Sequence, residues 1–218
     1  MLYTLIIGNK NYSSWSLRPW FWMKYNNIEF QEKKVLLFKE DTAANLEQYF
    51  SNFKVPVLID NNANIKVWDT LAIMEYLAEE HTNSYSYPKN KKSRALARSI
   101  TAEMHSSFYH LRNELPMNCR KRFNKFTISY KAQQDVNRVV DIWDLCRSNH
   151  SDKGDWLFGE FSIADAMFAP IALRFYGYDI KLSPASKKYV TTIVNNVFIK
   201  DWIKEGAQEK EIIIEGEV

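Results

Sequence analysis

Cysteine is nearly absent from this chain: Cys119 and Cys146 are the only two, far apart and matching no metal-ligand or redox spacing. That argues against a disulfide-stapled scaffold and a cysteine-built metal site, and it fits a reducing, cytoplasmic setting in which both thiols are packed. No uninterrupted apolar run approaches membrane-spanning length. The amino terminus, Met1 to Ile7, has no basic segment and reaches Gly8-Asn9-Lys10 too soon for a secretory leader. Excess charge is lacking too. The net +3 is spread along the chain, so a clustered nucleic-acid face is not expected, although a mildly positive surface suits a small anionic ligand. The short run Lys89-Asn90-Lys91-Lys92 reads as a solvated linker. There are no internal repeats.

What is present suffices for a substantial core: 218 residues, 46% hydrophobic, 15% aromatic and 25% charged. The seven Trp and twelve Tyr point first to aromatic packing, and second to an aromatic-lined pocket. Leu2 to Ile7 reads as a buried strand, followed by a Ser-rich turn and a helix through Trp20 and Met23 to about Asn27. Pro19 is expected in that helix's first turn and not deep inside it. Phe30 to Leu37 alternates weakly, as a second strand, and Thr42 to Phe50 reads as a short connecting helix. Val57 to Asp60 and Ile65 to Trp68 flank Asn61-Asn62-Ala63-Asn64 as a hairpin, with an apolar helix from Leu71 to Ala78 behind it.

From His81 to Lys92 the chain is a polar linker, and beyond it the strand signals vanish. Leu96, Ile100, Met104, Phe108, Leu111 and Leu115 predict one long helix stopping at Pro116, and Val136, Val139, Val140 and Trp143 a second. A third runs from Ile163 to Leu173 and a fourth over roughly 187–196. The tail from Glu205 to Val218 is mostly polar and carries no readable role. The predicted fold is α/β followed by all-α: residues 1–82 form an α/β domain of βαβ-ββα order, and residues 92–218 an all-helical domain.

Three constellations could carry chemistry. Ser13-Ser14-Trp15-Ser16 sits at a strand-to-helix turn, where unpaired N–H groups and the helix dipole favour an anion. A serine hydroxyl there could donate to a thiolate, although a plain Ser N-cap is the simpler reading of the loop alone. A free thiol of pKa about 8.5 is only about 3% ionised at pH 7. Lowering that pKa by about two units takes roughly 2.7 kcal/mol of preferential thiolate stabilisation, which one charged hydrogen bond plus a helix end supplies. Val55-Pro56 comes second. X–Pro bonds are cis in only about 5–6% of cases, and a cis bond here would turn the Val55 backbone outward to pair with an extended peptide. Lys54 could reach a terminal carboxylate. Third are Asp69 and Thr70, where a strand meets a helix. Either is a good N-cap, and the same helix end could hold a carboxylate through Thr70 while Asp69 meets an ammonium. Ser162-Ile163-Ala164-Asp165 is a capping box, structural on any reading.

In these residues the chain resembles the cytosolic glutathione S-transferase family, in its bacterial, zeta- and theta-like serine type, over about residues 2–205. Ser13 to Arg18 resembles the family's serine loop, and Phe53-Lys54-Val55-Pro56-Val57-Leu58 its cis-proline strand. Trp68 to Leu77 is similar to its γ-glutamyl site, and Phe161 to Ala166 to its capping box. The resemblance implies an N-terminal thioredoxin-like domain with glutathione as co-substrate, its thiolate at Ser13 or Ser14 (Ser13 by a narrow margin). Its backbone would lie on Val55 and Pro56, its glycyl carboxylate on Lys54, and its γ-glutamyl group on Asp69 and Thr70. A pocket for a small electrophile would draw on Tyr12, Trp15, His105, Tyr109 and Arg112, the last three sharing a helix face. Arg18 either belongs to the site or pairs with a structural carboxylate, the second reading being preferred. A homodimer, no metal, and neither a nucleic-acid nor a membrane partner are expected. Trp15 stands where the family's maleylacetoacetate isomerases carry cysteine, which disfavours that activity. Conjugation is the first expectation, with peroxide reduction or isomerisation on the same scaffold next, and a non-catalytic binding or regulatory protein as the reading from another class.

Overall fold

The computed structural model describes residues 1–49, 53–81, 83, 85–123 and 125–218. Its first part contains β1 (Tyr3–Ile7), α1 (Ser14–Tyr25), β2 (Phe30–Lys34), α2 (Thr42–Glu47), β3 (Val57–Asp60), β4 (Ile65–Trp68) and α3 (Thr70–Glu80). The strands form one sheet in the order β2-β1-β3-β4, with β1 and β2 parallel and the other two pairs antiparallel. This is the expected βαβ-ββα arrangement, a thioredoxin-like unit. The pleat explains its layering: Tyr3, Leu5 and Ile7 join the core that includes α1 and α3, while Ile6 points to the other face and packs with Val35, Leu46 and Val57. Phe50, the end of the predicted connecting helix, and Thr82 and Ser84 of the predicted linker lie outside the described residues.

Helices make up the rest: α4 (Lys91–Ser106), α5 (Tyr109–Glu114), α6 (Tyr130–His150), α7 (Ile163–Gly177), α8 (Pro184–Asn195) and α9 (Val197–Gln208). α7 is buried along almost its whole length and packs on α1, α4 and α8, so it ties the two parts of the chain together. Its capping box is present: the Asp165 carboxylate accepts from both the N–H and the hydroxyl of Ser162, at 2.9 and 3.0 Å. Asp165 also accepts from Leu157 N–H and Tyr189 hydroxyl.

Three expectations need correction. The predicted helix up to Pro116 is two helices. Phe108 takes a left-handed backbone, φ 61°, and α5 restarts with the Leu111 amide held by Asp135 at 3.0 Å. Its buried residues Met104, Phe108, Leu111 and Leu115 keep helical spacing straight through the break, so the periodicity conceals it.

Pro19 is the sixth residue of α1, well inside the helix. The N–H that proline lacks would have met the Trp15 carbonyl. The Thr70 hydroxyl donates to that carbonyl instead, at 2.8 Å, which makes the proline tolerable and pins α1 to the start of α3.

The polar tail, finally, has a place. After α9 the Glu209 carboxylate accepts from the backbone N–H groups of Lys10 and Asn11, at 2.8 and 3.0 Å. Trp202 Nε1 donates to the Lys10 carbonyl at 2.8 Å, and Gly216 lies directly under the Tyr12 ring. The carboxyl-terminal segment therefore clasps the loop that precedes α1.

Candidate active site

Where α1, the approach to β3, the start of α3 and the end of α4 converge, they enclose a cavity of about 420 Å³. Trp15, Lys54, Val55, Pro56, Trp68, Asp69, Thr70 and His105 line it. Residues picked out separately in the sequence thus meet at one place, and the Val55–Pro56 peptide is cis.

Asp69 closes one wall. It caps α3 through Oδ1, which accepts from the amides of Leu71 and Ala72 at 2.9 and 3.3 Å. Its backbone sits at φ 74°, a conformation uncommon for a residue with a side chain and often found at ligand-binding positions. Oδ2 faces the cavity and lies 2.7 Å from His105 Nε2 of α4. Thr70 is buried, and its hydroxyl proton is committed to the Trp15 carbonyl, which leaves its backbone N–H as the donor available to a ligand carboxylate.

The two serines stand at the amino end of α1 next to Trp15 and are not among the lining residues. Ser13 is 7% exposed and donates to Ser16 Oγ at 2.7 Å, and Ser16 Oγ in turn accepts from the Gly8 amide. Ser14 is half-buried, and its oxygen accepts from Arg174 Nη2 at 3.4 Å. Its own proton has no acceptor among the described residues.

Three arginines surround this point. Arg18, 1% exposed, lies over the Trp15 ring at 4.3 Å and donates to the carbonyls of Met167 and Ser14. The carboxylate partner expected for it is absent among the described residues, because the helix that packs against it, α7, offers only carbonyls there. Arg174, 5% exposed, donates to the Leu115 and Pro170 carbonyls. Arg112 lies 5.1 Å from the Trp15 ring and donates to the His105 and Ser107 carbonyls. Burial, and then the charges of Arg174 and Arg112, hold Arg18 well below its ordinary pKa. Burial followed by Arg112 pushes Arg174 down to about 10. Arg18 and Arg174 are buried cations bonded to carbonyls and not to a carboxylate, which is costly, and an incoming anion offsets that cost.

Of the proposed electrophile walls, Trp15 and His105 line the cavity and Arg112 stacks behind it. Tyr109 does not line it: it is 66% exposed and packs on His110, since it belongs to α5 and not to the helix that carries His105. Tyr12 is likewise turned away, its hydroxyl held by Glu217 and Arg120 of the tail clasp. Arg174 was missed in the sequence, where its only signal is a basic residue interrupting the apolar run of α7. Among the described residues no group of three or more His, Cys, Asp or Glu could hold a metal. Burial pushes both thiols, Cys119 and Cys146, up to about 12, so neither is a ready nucleophile.

Comparison with known proteins finds relatives of this fold. Residues 12–80 match the family model described as glutathione S-transferase, N-terminal domain. A Caenorhabditis elegans protein named probable maleylacetoacetate isomerase is 28% identical over 177 residues, covering 78% of each chain. Among solved structures, a glutathione transferase homolog from Burkholderia GL BGR1 with bound glutathione superposes with a TM-score of 0.72 at 21% identity, covering 96% of this chain and 100% of its own. An epsilon-class glutathione S-transferase from the housefly, Musca domestica, gives 0.72 at 20% identity and covers 94% of both chains.

Proposed function

We propose that this chain, whose residues 12–80 match the model of a glutathione S-transferase N-terminal domain, is a glutathione transferase of serine type. The carrying observation is that cis Val55–Pro56, the strained cap Asp69 and the amino end of α1 border one cavity. Glutathione would lie along Val55, with its glycyl carboxylate toward Lys54. Its γ-glutamyl carboxylate would meet the Thr70 N–H, and its ammonium Asp69. The thiol would then fall at the start of α1.

Ionising that thiol is the chemical task, and the charge around it is favourable. A thiolate about 5 Å from a guanidinium gains roughly 3 kcal/mol at an effective dielectric of about 20, before the helix end is counted. Ser14 is the better donor of the two serines, because its proton is uncommitted while that of Ser13 goes to Ser16. The thiolate attacks an electrophilic carbon, a carbon–sulfur bond forms, and the displaced electron pair leaves with the departing group or is protonated. Positioning and electrostatic stabilisation supply most of the gain.

Arg18, Arg112 and Arg174 favour an electrophile that itself carries negative charge. The same cluster favours a second reading, glutathione-dependent isomerisation of an anionic unsaturated compound, in which the thiolate adds and is later expelled. A cytoplasmic homodimer completes the proposal, with Ile65 exposed on the edge strand β4.

Calorimetric titration of glutathione into the wild type and Asp69→Ala, followed by an electrophile panel, tests the reading. Binding that weakens in the variant, with turnover of anionic electrophiles, supports it. No binding at millimolar glutathione would leave a fold used for other contacts.

A further inference from the structure

Two residues from different parts of the chain hold each other at the cavity wall. Asp69 Oδ2 and His105 Nε2 are 2.7 Å apart, and both side chains remain partly open to solvent, 40% and 35% exposed. The carboxylate cannot swing away, because its other oxygen is fixed by two helix amides. The imidazole is confined as well: its ring lies 5.4 Å from that of Trp15, and its own carbonyl accepts from Arg112.

The charged groups facing His105 are few. Asp69 comes from the cap of α3. Arg112 comes from α5, and Arg18 of α1 stands behind the Trp15 ring. Lys54 lies elsewhere on the cavity lining. On α4 itself Glu103 is engaged by Arg138, so Asp69 is the acid in direct contact with the imidazole. Asp135, which holds the Leu111 amide, stands by Arg112, and Arg112 and Arg18 are the cations on the Trp15 side of the ring.

We propose that the proton on His105 and the ammonium of the bound ligand compete for the Asp69 carboxylate, making His105 a pH-responsive selector for ligands that carry a free α-ammonium. This rests on the glutathione reading above. A neutral imidazole uses one N–H on Oδ2 and leaves that oxygen a further lone pair and a full negative charge, so an ammonium can be added beside it. An imidazolium cancels the charge and places a second cation beside the ammonium, in a neighbourhood already made positive by Arg18 and Arg112. Ligand and proton are then linked reciprocally: binding the ammonium expels the proton, and adding the proton expels the ammonium.

The probes are S-methylglutathione, which has no titrating thiol, and its des-amino analogue, in which hydrogen replaces the ammonium. Each is titrated calorimetrically into the wild type and His105→Gln between about pH 5.5 and 7.5, a range chosen to span imidazole ionisation. Wild-type affinity for S-methylglutathione is expected to fall roughly tenfold toward the acid end. The des-amino analogue should show no such fall, and His105→Gln should flatten the profile of S-methylglutathione. Persistence of the slope in His105→Gln, or an equal slope for the analogue, overturns the proposal while leaving the glutathione site standing. Failure of both peptides to bind the wild type overturns the glutathione reading and this proposal with it.

Discussion

Arg174 and Ser14, 160 positions apart in the chain, meet at 3.4 Å, with the guanidinium donating to the serine oxygen. A buried cation therefore sits directly behind the hydroxyl proposed to face the thiol. Arg174→Met should raise the thiol pKa of bound glutathione and lower kcat/KM for anionic electrophiles by about ten- to a hundredfold. That corresponds to roughly 1.4–2.7 kcal/mol of lost transition-state stabilisation. Neutral electrophiles should suffer less, and a parallel kinetic comparison of the two substrate classes checks this.

Thr70 replaces the hydrogen bond that Pro19 cannot make. Thr70→Val would leave the Trp15 carbonyl without its donor at a nearly buried position, at a cost of about 1–3 kcal/mol. Thr70→Ser should retain most of the stability. Urea denaturation of the two variants measures the difference, and equal midpoints would show that the hydroxyl contributes nothing.

The clasp formed by Glu209 should matter for the loop before α1. Glu209→Ala strips the acceptor from two adjacent amides, those of Lys10 and Asn11, and should cost on the order of 2–4 kcal/mol. Hydrogen exchange would report it locally, as faster exchange at Lys10 and Asn11 than at the amides of β1.

Asp165 gives a pH dependence of defined sign. Burial raises its pKa from 3.8 to about 6, against the opposing hydrogen bonds from Leu157, Ser162 and Tyr189. A carboxyl whose folded pKa is raised binds a proton on folding. Its contribution is thus fully present below about pH 4 and is lost as the pH climbs through about 6, by up to about 3 kcal/mol. Unfolding free energies of the wild type minus those of Asp165→Asn should fall across that window. A flat difference would show that Asp165 is not taking up the proton.

Much of this was legible in the sequence for local reasons. The strand patterns, the hairpin around Asn61 to Asn64, the cap at Ser162 to Asp165 and the motif at Val55–Pro56 are each written in a few adjacent residues. What escaped depends on residues distant in sequence. The break at Phe108 preserves helical spacing, and the tolerance of Pro19 inside α1 depends on Thr70. Asp69 or Thr70 was expected as the cap and Asp69 is the one, but its partner His105 lies 36 positions away on a helix whose packing no local pattern reveals. The arginines were hard to read for a further reason. A lone Arg in an apolar helix implies a carboxylate partner in most proteins, and here carbonyls take that place.

The most direct test of the central claim is the thiol pKa of bound glutathione, followed by the ultraviolet absorbance of the thiolate across pH in the wild type and in Ser14→Ala and Ser13→Ala. The account predicts a wild-type value about two units below the solution value of about 8.5, largely restored toward solution by Ser14→Ala and less by Ser13→Ala. A bound thiol that titrates as it does in water, in all three proteins, would contradict it.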